Sequence, residues 1–241
     1  MLWLNDVLYR YRLWHSLLGN IYSIADLDSP CVGNPYGYYI DGKFIKGGSD
    51  YQHYYATAIG RLLKTETTKC VVELGAGFGG MAYYLLRDNR EVTYIDLDLP
   101  ENAALTAYYL LKAFPEKKIR LFGEVGLLDE SIHNNEILIM PSFEISHLPS
   151  GCAGLVFNSY SMAEMSRETI STFVAEITRL VCGNGYFLHV NHNKNSLVVA
   201  DDFGLNPAQF DLLYKIPALW NMGRDSRMDE YEYLYRKTGV I

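Results

Sequence analysis

The chain concentrates its chemistry in one run, Glu73-Leu74-Gly75-Ala76-Gly77-Phe78-Gly79, set between two apolar stretches. An acid followed by three alternating glycines suits a ligand better than a core. Glycine lacks a Cβ, so the backbone can turn sharply and come close to a bound molecule. A helix that opens after the turn aims its first N–H groups at the same place. The predicted chemistry is therefore the holding of a nucleoside-like molecule. Asp96 and Asp98, at the end of EVTYIDLDLPEN, can accept hydrogen bonds from both hydroxyls of a ribose. Two further groups can take up a proton: Glu164, within NSYSMAE, and His192, within HVNHN. Histidine titrates near neutrality, which suits that task.

These residues need elements to position them. Cys70 to Leu74 reads as a buried strand, and a helix follows the glycine turn. Glu91 to Leu97 is a second strand. A helix then starts at Pro100, whose fixed φ favours the first helical position, and runs to about Phe114. Ile119 to Phe122, Ile137 to Met140, Gly154 to Ser159, Tyr186 to Asn191 and Tyr231 to Arg236 read as further strands. Met162 to Cys182 and Pro207 to Lys215 read as helices. This alternation predicts an α/β fold: a doubly wound, mostly parallel, seven-stranded sheet with helices on both faces. Residues 67–241 form that domain. Residues 1–66 form a helical and hairpin cap. Within the cap, Tyr38-Tyr39-Ile40 and Lys43-Phe44-Ile45 flank Asp41-Gly42, a type I′ hairpin signal. A helix capped by Ser49 or Asp50 runs on to about Leu63.

Composition narrows the function. The 241 residues carry 28 acids and 21 bases, a net charge of -7, with no basic block. A nucleic-acid partner is therefore not expected, because phosphate contacts need clustered cations. The four cysteines are scattered and include no CxxC pair, so neither a zinc site nor a redox motif is predicted. No spacing supports any other metal site. Buried thiols fit a reducing, cytoplasmic setting, and no apolar run is long enough to span a bilayer. Trp3, Val7, Tyr11, Trp14 and Leu18 recur at helical spacing. That helix is expected to pack on the domain or on a second copy of the chain, as a homo-oligomer.

Two ligands fit the turn. Gly75 to Gly80 satisfies G-x-G-x-x-G, the dinucleotide fingerprint. Glu73 to Gly79 also satisfies E-x-G-x-G-x-G, the first motif of methyltransferases that use S-adenosylmethionine (SAM). Glu73 favours SAM. A buried carboxylate is costly without a cationic partner; SAM brings an ammonium and a sulfonium, whereas a pyrophosphate would be repelled. Asp96 and Asp98 serve either ligand, and Asp98 can also cap the following helix.

Seven segments together resemble the sugar O-methyltransferase family: VGNPYGYYIDG, HYYATAI, VVELGAGFGGMAYYLL, YIDLDLPENAALTAYYL, MPS, FNSYSMAEMS and the strand ending at Asn191. The resemblance covers Val32 to Asn191 in the family's order. It implies a class I, Rossmann-like methyltransferase with SAM as donor and a sugar hydroxyl as acceptor, and it favours Asp98 for the ribose. The cofactor-binding residues are then Glu73, Gly75, Gly77, Gly79, Asp98, Ser142, Phe143 and Asn158. Tyr36, Tyr54, Ser161 and Asn191 are candidates for the acceptor, with Glu164 or His192 as base. Another small-molecule acceptor, a nicotinamide-dependent oxidoreductase and a non-catalytic binding module are the alternatives.

Overall fold

The computed structural model describes residues 2–124, 136–194, 196–224 and 229–239. Helix α1 (Leu2–Leu17) buries Val7 and Trp14, followed by Leu18, and leaves Leu4, Leu8 and Leu17 exposed. Strands β1 (Gly37–Ile40) and β2 (Lys43–Lys46) form the expected hairpin. Its turn residues Asp41 and Gly42 have φ of 49° and 76°. Positive φ at both central positions is the type I′ signature, and it matches the twist of the strands. Helix α2 (Ser49–Leu63) is capped by Gly48, not by Ser49 or Asp50. Asp50 is instead drawn into an ion pair with Arg10 of α1, at 3.3 Å.

The main sheet contains β3 (Cys70–Leu74), β4 (Thr93–Asp98), β5 (Ile119–Leu121), β6 (Ile137–Pro141), β7 (Ala153–Ser159), β8 (Val181–His192), β9 (Phe210–Pro217) and β10 (Glu230–Lys237). Its order is β5-β6-β4-β3-β7-β8-β10-β9. Neighbours are parallel as far as β8; β10 then pairs antiparallel with both β8 and β9. The sheet has eight strands rather than seven, because residues 210–217, expected as helix, add the edge strand β9 against β10; the strand expected at Ile119 is β5, at the opposite edge. The chain winds outward in opposite directions from β3 and β7. Ligands of open α/β sheets bind at such a reversal, beyond the carboxyl ends of the strands.

Two helix expectations are corrected. Residues 210–217 are strand, not helix. Asn206 accepts the N–H groups of Gln209 and Phe210, which makes a local helix-like start. Pairing with β10 then takes over the chain. The stretch from Met162 to Cys182 is a 3-10 turn (Ser161–Glu164), a break, and then helix α5 (Arg167–Leu180). Met165 is extended, and Ser166 caps α5 by accepting the Thr169 N–H at 3.2 Å.

The central strands are buried on both faces, which explains their near-continuous apolar runs. On one face α2, α3 (Gly80–Asp88) and α4 (Pro100–Ala113) cover Val71, Tyr94, Leu155, Phe157 and Leu188. On the other, α5 covers Val72, Ile95, Val156 and Phe187. Tyr55, Ile59 and Leu63 of α2 lie in the same cluster as Phe157, so the cap shares the core of the sheet domain. The Tyr55 hydroxyl also donates to buried Glu232 of β10 at 2.8 Å. Among the described residues, no helix is long and apolar enough to cross a membrane.

Candidate active site

The glycine turn leaves the end of β3, where the Gly75 N–H donates to Leu97 O at 3.0 Å. Gly75, Gly77 and Gly79 have φ of 83°, 65° and 83°. Side chains larger than hydrogen pay about 1–3 kcal/mol in that region. Gly79 precedes α3 and supplies no side-chain cap, so the first N–H groups of the helix meet none. A Cβ on Gly75 would lie 2.6 Å from Ser161 Oγ, whereas one on Gly77 would meet nothing within 4 Å. The turn is thus packed against the β7 side at its start and open at its middle. Gly75→Ala is expected to lower stability by about 1–3 kcal/mol, from backbone strain and the Ser161 contact together. A urea midpoint equal to that of the wild type would contradict this.

Three carboxyl groups cluster near the turn. Glu73 and Asp96 are register partners on β3 and β4. Glu73 is 3% exposed, and burial pushes its carboxyl up to about 8. The Tyr94 hydroxyl, which donates to Glu73 Oε2, opposes that shift, while Asp96 and Asp98 add to it. Asp96 is fully buried, and neither of its oxygens has a hydrogen-bond partner at acceptable geometry. Burial and then Asp98 push it up to about 7; Thr106 and the Ala76 N–H offset only part of this. Asp98 is well bound. Its Oδ2 accepts from the Gly77 N–H at 2.8 Å, and its Oδ1 accepts from the Leu99 N–H at 2.7 Å and Asn102 Nδ2 at 3.1 Å.

A pocket of about 290 Å³ opens beside Asp98, lined by Gly75, Asp98, Leu99, Ser142, Ser161, Glu164 and Met165 among others; Glu73 and Asp96 are not among its lining residues. It gathers five of the residues singled out from the sequence. Phe143 lies outside it, 59% exposed, against Phe122 in a neighbouring apolar groove. Asn158 and Asn191 are buried beneath it as a polar strut. Asn158 Nδ2 donates to Leu74 O at 2.8 Å and to Ser161 Oγ at 2.6 Å. Asn191 Nδ2 donates to Asn158 Oδ1 at 2.9 Å, while its own Oδ1 accepts from the Ala163 N–H at 3.2 Å. Ser161 therefore sits between the strut and Gly75.

His192 is not in this pocket. It ends β8, with Nδ1 3.7 Å from Glu230 Oε1. The Tyr160 hydroxyl donates to Glu230 Oε2 at 2.8 Å, and its ring lies 5.2 Å from the His192 ring. Asn221 Nδ2 also donates to Glu230, at 2.7 and 2.9 Å. Tyr160 adopts φ 65°, an unusual conformation for an aromatic residue, and this strain costs about 1–3 kcal/mol. From the cap, Tyr51 closes the group, its hydroxyl 2.6 Å from Ser159 Oγ. His192, Asp229 and Glu230 hold potential metal-ligand atoms within 4.8 Å of one another. Both Glu230 oxygens already accept from neutral donors, which suits an orienting carboxylate. Tyr54 packs on Tyr55 and Trp220 at the junction of cap and sheet. Tyr36 lines a separate pocket.

Tyr160, Glu230 and Gln52 were not singled out from the sequence. Gln52 of α2 packs on Gly80, with its Oε1 buried and without a partner. Tyr160 lay within a quoted motif, but nothing in the motif signals its positive φ. Glu230 reaches the site only because β10 folds back on β8, pairing Glu230 with His192.

The strand order, the reversed β10 and the glycine turn after β3 define the class I methyltransferase fold. Among solved structures, the chain is similar to the “putative sarcosine dimethylglycine methyltransferase from Galdieria sulphuraria”, over 98% of this chain and 99% of that one, with TM-score 0.58 and 12% identity. It is also similar to the glycopeptide N-methyltransferase MtfA complexed with (S)-adenosyl-L-methionine, over 78% and 94%, with TM-score 0.54 and 16% identity. Against the DszA carbon methyltransferase it covers 81% of itself but 56% of that longer chain, with TM-score 0.52 and 13% identity. At such identities the likeness is one of fold. No protein-family model matches the chain, and no curated protein matches it.

Proposed function

We propose that the chain is a SAM-dependent O-methyltransferase acting on a sugar hydroxyl. The observation that carries the donor is the set of three carboxyl groups clustered near the glycine turn. The residues fit SAM on three counts. Asp96 has two buried oxygens without partners. The backbone at Gly77 is open where a side chain would stand. The acidic set favours a cation and ribose hydroxyls over a pyrophosphate. Asp98 and the backbone of the turn hold the nucleoside, and Glu73 with Asp96 faces the cationic end. When bound, SAM supplies a methyl group made electrophilic by its sulfonium. The sugar acceptor is supported by the resemblance of the cap and strand-end motifs to the sugar O-methyltransferases.

The protein's own groups align the acceptor and take its proton. Alignment at near-attack distance can contribute several kcal/mol, at most about 7–11. His192 accepts the acceptor hydroxyl proton, and Glu230 stabilises the imidazolium that results. Tyr160 and Asn221 fix Glu230. Glu164 lines the donor pocket and acts there through its charge.

Donor binding is expected to depend on pH. A cation beside Glu73 and Asp96 favours their ionised forms, and both are held up, to about 8 and about 7. Binding therefore releases protons near neutrality and tightens as pH rises from roughly 6 to 8. Titration calorimetry in two buffers of different ionisation enthalpy should give different apparent enthalpies; equal values would remove these acids from the site. The reading as a whole is tested by thermal shift with SAM, S-adenosylhomocysteine and NAD. Mass spectrometry then follows methyl gain across a panel of nucleotide sugars. Stabilisation by NAD alone would overturn the donor assignment. Methylation of an amine acceptor with no sugar modified would overturn the acceptor.

A further inference from the structure

A second pocket, of about 370 Å³, lies between the cap hairpin and α4. Pro35, Tyr36, Lys46, Phe78, Tyr108 and Tyr109 are among its lining residues. None of its lining residues lines the donor pocket. Two features set it apart from ordinary surface.

The first is Lys46, at the end of β2. It is only 6% exposed, an uncommon state for an unpaired cation. Its Nζ donates to the Tyr109 hydroxyl at 2.9 Å and stands 4.4 Å from the Tyr109 ring centroid and 4.5 Å from that of Phe78. No carboxylate pairs with it among the described residues. An ammonium has three donors, and one is used here. Burial pushes Lys46 down to about 8, so it still carries its charge at neutral pH, at a cost an incoming anion would relieve. The second feature is aromatic. Tyr36, Tyr108 and Phe78 are 67%, 53% and 36% exposed, and all three line the same cavity. Exposed ring faces around a cavity are platforms on which a sugar or an aromatic ring can lie.

We propose that this pocket is a ligand site for a flat-faced ring, sugar or aromatic, that carries one anionic group, with Lys46 meeting the anion and Tyr36, Phe78 and Tyr108 meeting the ring. Phe78 belongs to the glycine turn, so the site adjoins the donor pocket without sharing it. The proposal does not depend on methyl transfer. Loss of SAM binding would leave it standing, and its own failure would leave the donor assignment standing.

The test is calorimetric titration of the full chain with glucuronate, glucose 6-phosphate, 4-hydroxybenzoate and neutral glucose. Trp3 provides a second readout, because its ring lies 5.9 Å from that of Tyr36 and its emission should change on binding. At least one anionic compound is expected to bind, and glucose not. Binding by glucuronate or hydroxybenzoate alone assigns a carboxylate ligand; binding by glucose 6-phosphate alone assigns a phosphate. Lys46→Met should weaken the binding ~10-fold or more, the scale of one charge-assisted hydrogen bond. Tyr108→Ala, at a half-exposed position that leaves the core intact, should weaken it several-fold and guards against a misfolded Lys46 variant. Binding of none of the anions, equal binding of glucose, or unchanged affinity in both variants would overturn the proposal.

Discussion

Asp98→Ala is expected to raise the SAM dissociation constant roughly 100-fold, about 3 kcal/mol, by removing charge-assisted hydrogen bonds worth about 1.5–3 kcal/mol each. The carboxylate has two tasks. It stands at the end of β4, where a ribose would lie, and it also tethers the turn through the Gly77 N–H at 2.8 Å. Alanine loses both. Asp98→Asn keeps one acceptor oxygen and should lose less. Calorimetry reads the constants, and the far-UV spectrum confirms the fold. Unchanged affinity in Asp98→Ala would shift the ribose to Asp96, the other acid on that strand.

His192→Ala is expected to lower kcat about 100- to 10,000-fold, the usual contribution of a positioned general base, while leaving the KM for SAM near its original value. Glu230→Gln should lower kcat by a smaller factor and alter its pH profile, since the amide removes the charge facing the imidazole at 3.7 Å. Tyr160→Phe, which deletes one donor to Glu230, should lower kcat by less than Glu230→Gln does. Full turnover in His192→Ala with an identified acceptor would pass the role to Glu164, which lines the donor pocket.

What could be read from the chain beforehand follows from how local each signal is. The glycine turn, the acids before and after it and the Asp41-Gly42 hairpin are each written within a few consecutive residues. Backbone sterics act at that range, and glycine at 75, 77 and 79 permits the positive φ the turn adopts. Residues 207–215 read locally as helix, and only pairing with β10, from further along the chain, turns the segment into strand β9. The Tyr160, His192 and Glu230 group is assembled from the ends of three strands. No spacing rule links them, and the positive φ of Tyr160 has no sequence signature. Nothing local in the sequence marks Lys46, because the Phe78 and Tyr109 rings around it come from distant segments.

The hydroxyls of Tyr55 and Tyr214 both end on the Glu232 carboxylate, the first from the cap and the second from β9. Exchanging residues 1–66 for another enzyme's sequence would strip one of the two donors from that buried acid and empty part of the cluster around Phe157. On the proposed function, the segment that would choose an acceptor is also a wall of the core. On that function, retuning selectivity would proceed through single replacements at exposed pocket positions such as Tyr36, not by grafting a whole segment.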